Sequence, residues 1–132
     1  MAIHKQITRT WTNHNPSLTC SRALDKFTVS STKGNGKLTY PVGLITSDEA
    51  EFAGLNRNSE NTNNYLYSSN PYWTMTPAYY NGIDAYNFII KDGKISECEV
   101  NKENYIRPVI TLKKEAKVKS GNGSIISPYV IE

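Results

Sequence analysis

Histidine and cysteine are the scarcest chemistry in this chain. Among 132 residues there are two of each, His4 and His14, Cys20 and Cys98. A structural zinc site takes about four ligands, and the cysteines stand too far apart for a metal knuckle, so no metal centre and no cofactor is expected. The two thiols are compatible with a Cys20–Cys98 disulfide in an exported protein or with two separate, packed or half-exposed thiols. Also missing are a glycine-rich phosphate loop, a histidine within a nucleophile pattern and a His-Glu metal helix. Catalysis therefore lacks a signature. The start, Met1-Ala2-Ile3-His4-Lys5-Gln6, has neither the roughly 7–15-residue apolar core of an export signal nor the roughly 20 apolar residues of a membrane span. Fifteen basic against twelve acidic residues give a net charge of +3, with no basic run longer than Lys113-Lys114. Nucleic acid and direct membrane contact thus have little electrostatic support.

A chain of this length fits one domain, able to bury roughly two thirds of its unfolded surface. Its hydrophobic share is a low 38%, but nine Tyr and two Trp supply large side chains that bury a ring while keeping a polar end in water. Residues 1–15 read as a polar lead-in, either an added segment or the remnant of a longer upstream part that would carry the export signal and anchor. The stretch up to residue 37 is a loop-rich entry closed by Gly34-Asn35-Gly36 turn chemistry.

Residues 38–45 are β-type, with Pro41 marking an edge or bulge. Thr46-Ser47-Asp48-Glu49 is a capping box, opening one short helix around residues 47–53. Ala50, Phe52 and Ala53 would form its apolar face, and Gly54 its left-handed stop. From Asn56 to Asn70 six of fifteen residues are Asn. Buried carboxamides need partners, so this is a surface excursion, with one short strand at residues 65–67 pinned by Leu66. Tyr72-Trp73-Thr74-Met75-Thr76 alternates as a strand with Trp73 and Met75 toward the core. Residues 85–90 and 94–100 flank Asp92-Gly93 as a hairpin. Ser96, Cys98 and Val100 share one of its faces, which places Cys98 beneath the sheet. Residues 107–112 are a further strand with Pro108 near its start. Ser120-Gly121-Asn122-Gly123 turns the chain before Pro128-Tyr129-Val130-Ile131. About six antiparallel strands and one helix make an α+β fold.

The carboxylates Asp48 and Glu49 suit a helix N-terminus, where the dipole favours negative charge. Glu97 and Glu99 suit a solvated strand face. Tyr and Asn are what the chain has in excess, concentrated in Tyr79-Tyr80-Asn81-Gly82-Ile83-Asp84 and Asn101-Lys102-Glu103-Asn104-Tyr105, two links between core strands. Tyr gives wide contact at low entropic cost and Asn gives adaptable hydrogen bonds, as in antibody loops. Tyr79, Tyr80, Asn81, Asp84, Tyr86, Asn101, Asn104 and Tyr105 are therefore the candidate ligand-binding residues, to the extent that both loops meet at one end. Trp73 and Arg107 are assigned to the scaffold.

Leu18-Thr19-Cys20, Asp25-Lys26-Phe27-Thr28, the run from Gly34 to Thr46, Tyr65-Leu66-Tyr67, Tyr72-Trp73-Thr74-Met75-Thr76-Pro77 and Arg107-Pro108-Val109-Ile110-Thr111-Leu112 together resemble a repeat of exported and pilin-associated surface proteins of Gram-positive bacteria. The Trp and Arg-Pro-Val strands also resemble the formylglycine-generating-enzyme branch of the C-type lectin fold. The resemblance implies a C-type-lectin-like domain over residues 16–132, extracellular or at the cell surface. It implies a binding module for a protein or glycan on a host or neighbouring cell, joined to upstream domains of the same chain. Alternatives are a structural repeat of a fibre or pilus, or a retroelement-diversified phage or bacterial receptor. The family's upstream cysteine, a partner for Cys20, is absent, and the catalytic cysteines of the formylglycine branch lack counterparts. The Glu-Pro-Asn, Gln-Pro-Asp and Trp-Asn-Asp signatures of calcium-dependent lectins are missing too, and an oxygen-only calcium site needs several convergent carboxylates.

Overall fold

The computed structural model describes residues 15–19, 39–40, 42–110, 112–123 and 126–132. Of the loop-rich entry expected up to residue 37, residues 15–19 are described, and the rest of it, with Cys20, lies outside the described residues. Within them the chain is α+β, mostly antiparallel strands in small sheets with one short helix. The strands are β1 (Val42–Leu44), β2 (Tyr72–Tyr80), β3 (Ala85–Lys91), β4 (Lys94–Glu99), β5 (Pro108–Ile110), β6 (Val118–Ser120) and β7 (Val130–Ile131), and the helix is α1 (Ser47–Phe52). The central sheet has the order β2-β3-β4, while β1 pairs with β5 and β6 with β7.

Helix α1 starts where its capping chemistry dictates. Glu49 N donates to Thr46 Oγ1 at 3.1 Å and Thr46 N donates to Glu49 Oε2 at 2.8 Å, so two otherwise orphaned amides are satisfied reciprocally. Gly54, at φ 92, ends the helix. The buried side is Ser47, Asp48 and Ala50. Phe52 is exposed, contrary to its expected place on the apolar face, because two residues past Ala50 is about 200° around the helix. Asp48 is buried and its Oδ1 accepts the Ser17 amide at 2.8 Å, which ties the early chain to α1.

The two-residue turn Asp92-Gly93 joins β3 and β4 with both residues at positive φ, 54 and 70, the mirror-image turn whose twist matches a hairpin. Gly93 has a second reason to be glycine: a Cβ there would stand 2.5 Å from Asn61 O. Asn61 N in turn donates to Gly93 O at 3.1 Å, so the Asn-rich excursion is laced to the hairpin. Its carboxamides work locally. Asn56 Oδ1 accepts the amides of Asn58 and Ser59, and Asn64 bridges Leu66 N and Ala53 O. The expected strand at residues 65–67 is a turn instead, since Asn64 diverts the Leu66 amide from any ladder. Leu66 is nonetheless buried.

Strand β2 reverses the expected facing. Tyr72, Thr74, Thr76 and Ala78 are buried, whereas Trp73 and Met75 are half-buried. Each polar atom on the inward face has a partner. Tyr72 Oη donates to Leu66 O at 2.6 Å, Thr74 Oγ1 to Phe88 O at 2.8 Å, and Thr76 Oγ1 accepts the Ser47 amide at 3.0 Å. Satisfied in this way, Tyr and Thr cost little to bury. Trp73 instead lies opposite Ile89 on the second face. Met75 Cε covers Gly43, where a Cβ would approach it to 2.9 Å.

The β2–β3 register slips between Trp73 and Pro77 and again before Tyr79, as bulges do. At the slip, side chains replace the ladder: Asn87 Nδ2 donates to Thr74 O at 2.9 Å, and the Thr74 hydroxyl returns a bond to β3. Met75 N meanwhile donates to Ile45 O at 2.9 Å, joining the central sheet to the end of β1. The core so enclosed contains Ile45, Ala50, Leu55, Leu66, Tyr72, Ala78, Phe88, Ile90 and Ile95, with Val109 of β5 packed against it.

Candidate binding site at the β2–β3 hairpin

The far end of β2 and the start of β3 form the most ordered display of the candidate residues. Asn81 makes the connection. Its Oδ1 accepts the amides of Ile83 at 2.8 Å and Asp84 at 2.7 Å, and its own amide donates to Asp84 O at 3.1 Å. This Asx turn commits the Asn81 oxygen to the backbone. Tyr80 Oη donates to Gly82 O at 2.8 Å, pinning an otherwise exposed ring over the turn.

Strand alternation then sorts the neighbours into two rows. On one face Tyr79 is the direct partner of Tyr86, and Tyr86 of Glu99. The two rings stack with centroids 4.5 Å apart and planes 12° from parallel, and both pack against the core. Tyr86 Oη reaches Glu99 Oε1 at 3.4 Å, and Lys102 Nζ lies 3.4 Å from Glu99 Oε2. Partial burial, followed by the Glu99 carboxylate and the neighbouring Tyr79 and Asp84, raises the Tyr86 phenol above its ordinary value. On the other face Tyr80 is the partner of Ala85, and Val100 N donates to Ala85 O at 3.0 Å. Tyr80, Val100 and the turn residue Ile83 are 62%, 57% and 85% exposed. A small residue, Ala85, thus sits between two large apolar ones with a third at the tip.

The expected set divides. Tyr79, Tyr80, Asn81, Asp84 and Tyr86 belong to this end, and Asn101 follows Val100 beside it. Tyr105 does not join them. Its amide donates to Pro71 O and its carbonyl accepts Trp73 N, both at 3.0 Å, which places it at the opposite end of β2 from Tyr80. Asn104 is half-buried, and its amide nitrogen is enclosed without an acceptor. The two Tyr and Asn loops therefore meet only at their near ends, because residues 100–104 carry the chain across from the edge of β4 to the edge of β2. Ile83 and Val100 were not among the candidates. Only one signal marks them, an aliphatic residue where turn chemistry favours polar ones.

Arg107 sits at the Tyr105 end. Its guanidinium donates to Leu66 O at 3.1 Å and Tyr65 O at 3.2 Å and lies 5.4 Å from the centroid of the Tyr72 ring. Burial raises the Tyr72 phenol above its ordinary value, and Arg107 partly opposes that shift. Glu97 and Glu99, expected on a solvated face, are each half-buried and held by a cation, Arg57 at 2.6 Å for Glu97 and Lys102 for Glu99. Cys98 is a half-buried free thiol. Among the described residues no three His, Cys, Asp or Glu side chains gather as metal ligands. Compared with protein-family models, curated proteins and solved structures, the chain has no significant match.

Proposed function

We propose that the chain is a non-catalytic extracellular binding module of C-type-lectin-like kind, which contacts a protein or glycan on a host or neighbouring cell through the β2–β3 hairpin end. The observation that carries this reading is the exposed row Tyr80-Ala85-Val100 with Ile83 at its tip, held on a bulged and cross-bonded strand pair. Exposed apolar groups on a rigid support bind at low entropic cost, and a notch flanked by an aromatic ring suits a protruding apolar group of a partner. Tyr79 and Tyr86 support the row from behind. The polar face, with Glu99, Lys102 and Asn101, would supply orientation. The test is binding of the purified chain to immobilised cell-surface proteins and glycans, comparing wild type with Tyr80→Ala/Ile83→Ser. Saturable binding lost in that variant supports the site, and binding unchanged in it places the site elsewhere.

A second reading, an assembly repeat of a surface fibre or pilus, is favoured by a different observation. Two small paired ribbons, β1–β5 and β6–β7, display large apolar side chains away from the core.

A further inference from the structure

We infer that Asn81 is a site of spontaneous covalent modification, its carboxamide passing through a cyclic imide with Gly82 to aspartate or isoaspartate. Asn-Gly pairs favour this chemistry because no Cβ shields the amide that follows the asparagine. The chain has three, Asn35-Gly36, Asn81-Gly82 and Asn122-Gly123. The first lies outside the described residues. The other two are both exposed, so exposure does not separate them, but their surroundings do.

At Asn122-Gly123 the nucleophile is withdrawn. Gly123 N donates to Ser127 O at 3.1 Å, beside the bond from Asn122 N to the same oxygen at 3.0 Å. A Cβ on Gly123 would stand 2.7 Å from Tyr129 Cε2, so an aromatic ring closes off that glycine. At Asn81-Gly82 both conditions are reversed. The Gly82 amide donates to nothing among the described residues, and a Cβ on Gly82 would meet nothing within 4 Å. That leaves room for a five-membered ring and for water. The electrophile is prepared as well, since Asn81 Oδ1 accepts the amides of Ile83 at 2.8 Å and Asp84 at 2.7 Å. Those bonds fold the carboxamide back toward the Gly82 peptide. The negative charge of the addition step develops on this same oxygen, where two donors already stand to stabilise it.

The step balances with hydroxide and water alone. Hydroxide takes the Gly82 amide proton, the nitrogen pair forms the N–Cγ bond and the carbonyl pair moves onto Oδ1. When that pair returns, the Cγ–Nδ2 bond breaks and ammonia leaves with a proton from water, which regenerates hydroxide. One water then opens the imide. Cleavage of the N–Cγ bond gives aspartate on an unchanged main chain. Cleavage of the original peptide bond gives isoaspartate, whose main chain runs through Cβ and Cγ and is one carbon longer. Aspartate keeps an acceptor for the Ile83 and Asp84 amides. Isoaspartate lengthens a turn that sets strand register, and so displaces Ile83 and the Tyr80 ring bonded to Gly82 O. Loss of binding by that displacement rests on the reading proposed above; the modification itself does not.

The test ages the whole chain at mildly alkaline pH, folded and in guanidinium chloride, and maps its peptides by mass spectrometry, with isoaspartyl groups counted by enzymatic methylation. Dividing each site's folded rate by its denatured rate removes the contribution of local sequence. That ratio should be at least about tenfold higher at Asn81 than at Asn122, the worth of about one hydrogen bond, and Asn81 should convert no more slowly folded than denatured. Equal ratios at the two sites, or protection of Asn81 by folding, would overturn the inference. Wild type alone supplies the answer, and because mass is the readout, a hairpin that binds nothing would leave it unaffected.

Discussion

Tyr79 and Tyr80 are adjacent in sequence and have opposite duties. Period-two alternation turns Tyr79 onto Tyr86 and the core, and Tyr80 outward over the turn. Tyr79→Ala should therefore lower stability by about 1–2 kcal/mol, from lost packing and a lost stack. Tyr80→Ala should change it by less than about 0.5 kcal/mol. Chemical denaturation of the two variants measures the difference. Sequence reasoning picked both rings for display because aromatic excess alone does not report facing. The cross-strand register that separates them follows from two bulges that nothing in the residue pattern announced. The two raised phenols offer a pH test. Tyr72 and Tyr86 both titrate above the ordinary phenol value of 10.0 in the folded chain, so the unfolded chain releases these protons first. Their contribution to stability is complete below pH 10 and is lost as pH rises from there through the folded values. Tyr72→Phe should flatten the alkaline part of a stability–pH profile and also lose the hydrogen bond to Leu66 O. A variant profile equal to wild type would contradict the burial assigned to Tyr72.

Among the elements, those with local signatures were the legible ones. The capping box fixed the start of α1 because its partners lie three residues apart, and Asp92-Gly93 fixed the β3–β4 turn because only a few residues tolerate two successive positive φ values. Thr46→Ala should cost about 1 kcal/mol by orphaning the Glu49 amide. Gly93→Ala should cost more, since its new Cβ meets the Asn61 backbone as well as an unfavourable φ. Differential scanning calorimetry should rank Gly93→Ala below Thr46→Ala, and the reverse order would contradict the packing of the Asn-rich excursion on the hairpin. The facing of β2 was not legible. Alternation separates Tyr72, Thr74 and Thr76 from Trp73 and Met75, but choosing the inner set depends on distant partners, the acceptors Leu66 O and Phe88 O and the donor Ser47 N. Hydrophobicity alone favours Trp and Met. The turn around Leu66 was hidden for a similar reason: Tyr65-Leu66-Tyr67 reads as β, yet Asn64 captures the amide that a ladder would need.

For the whole molecule, the α+β class was readable from turn spacing, but the strand set was not: about six were expected where seven stand among the described residues, residues 65–67 form a turn and β6 (Val118–Ser120) had no expected counterpart. The meeting of the two Tyr and Asn loops was a statement about topology. The chain leaves β4 beside Ala85 but arrives at Tyr105 near Trp73, so only one loop's beginning shares the hairpin end. The candidate site that results is smaller and more apolar than composition suggested, built around Tyr80, Ile83 and Val100 with Asn81 holding the turn rather than facing a ligand. The most direct test is an array of glycans and cell-surface proteins probed with wild type and Tyr80→Ala/Ile83→Ser, with and without a chelator. The account predicts saturable, chelator-insensitive binding by wild type that disappears in the variant while its melting temperature stays within about 2 °C. Binding that persists in the folded variant, or that the chelator removes, would contradict it.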